Sequence, residues 1–309
     1  MSRLIVVSNR VSLPREAGAA SVGGLSAAIG AALREHQGVW FGWSGETTPH
    51  YTGQIAMERV GDVTLGRVDL EPVDVEEYYN GYANKTLWPL FHDRIDLTAY
   101  ERPFDAGYAR VNARFAQALV ALIGPEDLIW VHDYHLAPLA RELRALGVKN
   151  RIGFFLHIPW PARQLLVTLP GHRKLVEALF HYDVVGFQTE DNLSAFTGYL
   201  SKEIGVAAPD DNGMVSAFGR RTRLGAFPIG IKPEDFSEGA LSPGGQESFA
   251  RMQESMAGRK MIVGVDRLDY SKGLEERFIA YEQFLAAQEA QREKVFMLEI
   301  ATLSRDAVE

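Results

Sequence analysis

Leu128-Ile-Trp-Val-His-Asp-Tyr-His135, the segment 137–145 and Ile152-Gly-Phe-Phe-Leu156 together decide the fold class. Residues 128–131 and 152–156 are apolar on consecutive positions, not alternate ones. A strand with one wet face alternates, and a strand buried on both faces does not. Residues 137–145 carry a helical pattern that meets Gly147, a natural helix stop. The whole reads as strand, helix, parallel strand.

The same grammar extends in both directions. Compact apolar runs at 3–7, 184–187, 224–229, 261–265 and 295–300 predict further buried strands. Helical patterns at 25–34, 109–122, 175–180, 192–200 and 275–287 fall between them. This alternation predicts a doubly wound α/β architecture. The stretch Gly239-Ala-Leu-Ser-Pro-Gly-Gly245 is turn-rich, and a fresh strand–loop–helix–strand unit begins at Lys260. Two domains are expected, 1–240 and 241–309. Residues 260–309 supply only two strands and one helix. Two strands alone are marginal, so the second domain is expected to be incomplete.

Composition narrows the function classes. Of 309 residues, 46% are hydrophobic and 23% charged, which suits a soluble globular protein with a real core. A net charge of −8 argues against a broad nucleic-acid surface but allows a local basic pocket for phosphates. With no cysteine there is no disulfide, thiolate nucleophile or Cys-based metal site. The apolar run at 4–7 is too short for a signal-peptide core, and no run approaches the ~18 residues of a membrane span. A cytoplasmic protein without a membrane or nucleic-acid partner is expected.

Open α/β sheets bind ligands at the carboxyl ends of their strands. Ser8, Asn9 and Arg10 follow the first strand, and Val22-Gly23-Gly24-Leu25 opens a helix. A glycine pair lets a ligand approach the backbone, and a helix start offers free N–H groups to an anion; the pair serves a tight turn equally well. The dinucleotide fingerprint Gly-x-Gly-x-x-Gly is absent. After the 128 strand, His132 and His135 do not share a strand face, which argues against a metal pair. Asp133 suits sugar hydroxyls, or caps the next helix. After the 152 strand, Pro159 and Pro161 fix the loop beginning at His157, a residue that is either structural or in contact with ligand. Trp40, Trp43, Tyr78, Tyr79 and Trp88 gather in a polar, turn-rich stretch, where they stack on sugar rings or fill core. After the 261 strand comes Asp266-Arg-Leu-Asp-Tyr-Ser-Lys-Gly273. Arg267 offers a fork and Lys272 a point charge to a diphosphate; the alternative is a loop salt-bridged through Asp266 and Asp269. It is not a P-loop.

Ten blocks in order resemble the trehalose-6-phosphate synthase family: Val7-Ser-Asn-Arg10, Val22-Gly-Gly-Leu25, Trp40-Phe-Gly-Trp-Ser-Gly-Glu46, Tyr78-Tyr-Asn80, Leu87-Trp-Pro89, Trp130-Val-His-Asp-Tyr-His135, Phe154-Phe-Leu-His-Ile-Pro159, Gly186-Phe-Gln-Thr-Glu190, Pro228-Ile-Gly-Ile231 and Arg267-Leu-Asp-Tyr-Ser-Lys-Gly273. The resemblance implies a GT-B fold of two Rossmann-like domains, the second incomplete here. It implies a retaining glycosyltransferase that moves glucose from UDP-glucose to glucose 6-phosphate, with no metal or other cofactor, in a homo-oligomer. It also implies roles. Arg10, Tyr79, Asp133 and Arg305 would bind the acceptor. Gly23, Gly24, His157, Arg267 and Lys272 would bind the donor. Arg267, Lys272, Asp133 and His157 would serve catalysis. Trp88 and Ile158 would select the acceptor anomer.

One family block is not found in these 309 residues: the Asp-Gly-Met-Asn-Leu-Val-x-x-Glu-like segment that grips the donor glucose and ribose. The resemblance therefore implies a present acceptor half-site and a broken donor half-site. Competing readings are a transferase with another phosphorylated acceptor, and an inactive or regulatory sugar-phosphate-binding fragment. A dinucleotide oxidoreductase lacks its glycine fingerprint.

Overall fold

The computed structural model describes residues 3–11, 32–33, 38–231 and 233–302. Gly23, Gly24, Arg305 and most of the expected helix at 25–34 lie outside the described residues. The chain divides into two compact units, Met1–Ile229 and Gly230–Glu309.

The first unit is built on nine described strands: β1 (Leu4–Arg10), β2 (Val39–Thr47), β3 (Ala56–Val60), β4 (Val63–Leu70), β5 (Leu128–His132), β6 (Ile152–Leu156), β7 (Val184–Phe187), β8 (Met214–Ala217) and β9 (Arg220–Ala226). Their order is β3-β4-β2-β1-β5-β6-β7-β9-β8. The seven inner strands are parallel, and β3 and β8 pair antiparallel at the two edges. Chain order reverses at β1, with β2 on one side and β5 on the other, so the switch point of the sheet lies there.

Both faces of the central strands β1, β5, β6 and β7 are largely covered, as their apolar runs require. Ile5, Val7, Ile129, Val131, Phe154 and Leu156 belong to the larger core, while Val6, Trp40 and Leu65 belong to a second core with Leu33. Helices α1 (Arg102–Val120), α2 (Leu139–Ala145), α3 (His172–Leu179) and α4 (Glu190–Tyr199) pack onto the larger one. Thr189 caps α4, its side chain accepting from Asn192 N.

Two expectations are corrected. The aromatic stretch around Trp40 is not a turn-rich loop but strand β2, with Val39–Trp43 buried. Trp40 donates its buried indole N–H to Ser8 Oγ at 2.8 Å, which removes the penalty for burying it. The strand expected at 224–229 starts earlier, as β9. Thr222 and Leu224 are buried while Arg221 and Arg223 are exposed. One face of this strand is wet, so an apolar-run criterion catches only its end.

A helical stretch carries Tyr78 and Tyr79. It runs as Pro72–Asp74, a wide π-type segment Val75–Leu87, and Trp88–Phe91. It is clamped to α1 by charge and by close approach. Asp74 is fully buried; it accepts from Arg110 Nε at 2.7 Å and also from Arg114 Nη1. Glu77 and Glu71 take the remaining arms of the same two arginines, each at 2.8 Å. A Cβ on Gly107 would lie 2.4 Å from that of Glu77, so the backbones meet closely there.

The second unit, taken by itself, holds α5 (Pro233–Leu241), α6 (Pro243–Met256), β10 (Lys260–Arg267), α7 (Leu274–Ala287) and β11 (Val295–Thr302). The turn-rich stretch 239–245 holds the break between α5 and α6 at Ser242. Ser242 caps α6 by accepting from Gly245 N at 3.1 Å, and Pro243 fills the first helical position. β10 and β11 pair parallel along their whole length, from Lys260↔Val295 to Arg267↔Thr302.

Candidate ligand site at the strand ends

The carboxyl ends of β1, β5 and β6 carry Arg10, Asp133 and His157. Arg10 ends β1, and its guanidinium lies over Trp43 of β2, 5.7 Å from the ring centroid. Trp43 meets Tyr79 edge-on at 5.5 Å, and Tyr79 stacks on His135 at 5.9 Å. Asn9 Oδ1 accepts from Tyr78 at 2.7 Å and so ties the helical stretch to the end of β1. Arg10, Tyr79 and the Asp133–His135 turn therefore lie on one continuous run of contacts. Sequence reasoning missed what seats Arg10. Gly45 has φ +95°, and a Cβ there would fall 2.3 Å from Arg10 Nη2. The guanidinium rests where a side chain would be.

Asp133 follows β5 directly and adopts φ 74°, ψ 166°. That region is essentially reserved for glycine and costs about 1–3 kcal/mol for another residue. The backbone holds it there. Asp133 N donates to Phe155 O at 2.8 Å, and Leu136 N donates to Asp133 O at 3.1 Å. The carboxylate does not cap the following helical turn; its Oδ1 accepts from the backbone N–H of His157 at 3.3 Å. The capping alternative is thus set aside.

His157 stands one residue past β6, and its Nε2 lies 3.0 Å from His132 Nδ1. Sequence reasoning weighed His132 only as a metal ligand. Among the described residues no cluster of three or more His, Asp or Glu could hold a metal. Burial holds His157 down at about 4 and pushes His132 well below its ordinary value, with His157 adding to the latter. Both rings are neutral at neutral pH. Between pH of about 6.5 and 4 the unfolded chain takes up a proton on His157 that the folded chain refuses. Stability held above pH 6.5 is thus lost as pH falls through this window. Thermal melts of the wild type are expected to drop across it, and those of His157→Gln to drop less. Trp88 and Ile158 are buried in the larger core, 5% and 7% exposed.

In the second unit, Arg267 ends β10, Tyr270–Lys272 forms a 3₁₀ turn, and Gly273 at φ 63° opens α7. Asp269 Oδ1 accepts from Ser271 N at 3.0 Å and shapes the turn. Arg277, one turn into α7, organises the loop: it pairs with Asp266 at 2.8 Å, pairs with Glu299 of β11, and donates to the Lys272 carbonyl at 3.3 Å. Arg277 was not anticipated, because its partners come from two strands and a turn that sequence spacing does not bring together. Asp266 of the loop is thus salt-bridged, to Arg277 of the following helix.

Residues 2–309 match the family profile of glycosyltransferase family 20. The chain belongs to glycosyltransferase family 20. It is 47% identical over its full length to a trehalose-6-phosphate synthase of Sinorhizobium fredii and covers 67% of that protein. It is 43% identical to an Escherichia coli trehalose-6-phosphate synthase, of which it covers 64%. Among solved structures, a UDP-forming alpha,alpha-trehalose-phosphate synthase from Burkholderia vietnamiensis superposes with a TM-score of 0.95 at 45% identity, over the whole of this chain and 65% of that one. A Burkholderia xenovorans synthase solved with glucose-6-phosphate gives 0.91 at 48% identity, over 99% of this chain and 67% of that one. An E. coli structure bound with UDP-2-fluoro glucose gives 0.91 at 42% identity, over the whole of this chain and 66% of that one. This family-20 chain thus spans about two thirds of the length of its relatives. The α/β fold of GT-B type expected from the sequence is the fold of these neighbours. No described helix is long and apolar enough to cross a membrane.

Proposed function

We propose that this chain binds glucose 6-phosphate on its first unit and serves transfer of glucose from UDP-glucose to that acceptor with retention, giving α,α-trehalose 6-phosphate and UDP. The observation that carries the reading is the run of contacts from Arg10 through Trp43 and Tyr79 to His135, two residues past Asp133, beside the switch point of the sheet, in a chain 48% identical to a synthase solved with glucose-6-phosphate. An arginine fork matches a phosphate dianion, an aromatic face covers a pyranose, and a carboxylate accepts from hydroxyls. Arg305 would be a second phosphate partner. Trp88 and Ile158 would limit the acceptor to one anomer.

On the donor side, Gly23, Gly24, Arg267 and Lys272 would hold the diphosphate, and His157 the glucose. As the glycosidic bond breaks, negative charge grows on the leaving UDP while the sugar becomes oxocarbenium-like. Fixed cations at Arg267 and Lys272 stabilise that charge as it develops. The acceptor hydroxyl attacks from the face the UDP leaves, and its proton passes to the leaving diphosphate. No covalent glycosyl-enzyme forms.

The test is calorimetric titration of the 309-residue chain with glucose 6-phosphate, followed by UDP release from UDP-glucose with and without it. Saturable binding that Arg10→Ala abolishes is the expected result. Absence of binding overturns the reading; binding without acceptor-dependent UDP release favours a sugar-phosphate-binding role instead. Gly45→Ala should weaken glucose 6-phosphate by roughly tenfold or more, because it evicts the Arg10 guanidinium from its bed without touching the ligand.

A further inference from the structure

His132 and His157 end two adjacent parallel strands and face the same side. His132 pairs in register with Phe155, two residues before His157. Their rings stack at 5.2 Å, and Trp130 and Phe155 close over them at 4.3 and 4.7 Å. The pair lines an otherwise apolar cavity of about 280 Å³ whose walls also include Gly186 and Phe227. His132 is 1% exposed, and its second nitrogen, Nε2, is buried without a hydrogen-bond partner among the described residues. His157 is only half-buried.

Two neutral imidazoles 3.0 Å apart share one hydrogen, so one ring donates and the other accepts. If His132 accepted at Nδ1, its own hydrogen would sit on Nε2 as a buried, orphaned N–H. If it donates from Nδ1, only a lone pair is orphaned. Buried donors without partners are the rarer and costlier case. The second arrangement fixes His157 as well: its Nε2 is used as an acceptor, so its hydrogen must be on Nδ1.

We propose that His132 is a positioning residue that locks His157 in the Nδ1–H tautomer, making His157 a fixed hydrogen-bond donor toward an oxygen of the donor hexose. The hexose rests on the function proposed above; the tautomer does not. Burial keeps both rings neutral, so the donor stays in place at neutral pH. An unlocked imidazole would divide its population between two tautomers, of which one offers the ligand a lone pair instead.

The experiment is a long-range proton–nitrogen correlation spectrum of the full 309-residue chain labelled with ¹⁵N-histidine, His157 being assigned by its loss in His157→Gln. Protonated Nδ1 and bare Nε2 on His157 are expected. His132→Leu should convert His157 wholly or partly to the Nε2–H form. His132→Asn, whose amide N–H stands where Nδ1 stood, should restore the Nδ1–H form. A wild-type His157 protonated at Nε2, or one indifferent to His132→Leu, overturns the proposal. UDP-glucose added to the same samples separates the two readings. Roughly tenfold weaker binding in His132→Leu with recovery in His132→Asn supports the positioning role. Equal binding in all three overturns it. No binding even in the wild type sinks the donor reading, and the tautomer then decides the lock alone.

Discussion

Replacing Asp133 with glycine is expected to abolish most of the chain's affinity for glucose 6-phosphate while leaving its melting temperature unchanged or raised. The two effects have separate causes. Asp133 sits at φ 74°, ψ 166°, where only glycine is at ease, so glycine relieves about 1–3 kcal/mol of strain. Against this stands the loss of the carboxylate's contacts, among them Oδ1 to His157 N, long at 3.3 Å, a loss that Asp133→Ala shares. The carboxylate is also a proposed ligand group, and losing a charged acceptor should weaken binding by tenfold or more, on the order of 1.5–3 kcal/mol. Asp133→Ala is the control, because it loses the carboxylate but keeps the strain. Calorimetry should rank both variants as weak binders, and thermal melts should place glycine above alanine. An alanine variant that melts higher than the glycine variant would show that the backbone is not strained there.

Asp74→Ala should cost the first unit about 3 kcal/mol, read as a shift in urea midpoint. The carboxylate is fully buried and takes one arm from each of Arg110 and Arg114. Its removal leaves two cations facing each other beside a cavity, with only Glu71 and Glu77 to answer them. Breaking a buried pair from one side costs about 3–5 kcal/mol, and the partial exposure of both arginines places this case at the lower end. The damage should reach the ligand site, since the helical stretch that Asp74 anchors also carries Tyr79. Glucose 6-phosphate binding should therefore fall with stability in this variant, unlike in Asp133→Gly. A urea midpoint within about 0.5 kcal/mol of wild type would mean that the two arginines find other partners.

The inner strands β5, β6 and β7 could be read from sequence because both of their faces are dry, and dryness on both faces leaves an unbroken apolar run. β2 could not: Trp-Phe-Gly-Trp-Ser-Gly-Glu-Thr mixes aromatics with glycine and polar groups, and it is a strand because Ser8 and Glu46 satisfy its two indoles. The helical stretch 72–91 hid for a related reason, since a buried Asp74 breaks any amphipathic count unless Arg110 and Arg114 are known to lie opposite. Positions at and just past strand ends are marked in the sequence by the apolar run that precedes them, which is why Arg10, Asp133, His157 and Arg267 stand out there. Their supports are not so marked. Gly45 beneath Arg10, His132 against His157 and Arg277 beneath the Lys272 turn all depend on strand register or on three-way contacts. Neither leaves a mark in local spacing.

The seam between β1 and β5 joins parts of the chain that are remote along it. Leu4 pairs with Leu128, and the Arg3–Asp127 ion pair at the foot of the seam closes a separation of 124 residues. Closing so long a loop costs entropy before any contact returns it, and such pairings form slowly. Arg10 and Asp133 stand at the top of that same seam. Refolding should therefore recover helical signal early and sugar-phosphate affinity last. In the opposite direction, a ligand bound across the two strand ends staples the latest-made pairing in the sheet, and so should prolong the lifetime of the folded state as well as deepen its free energy.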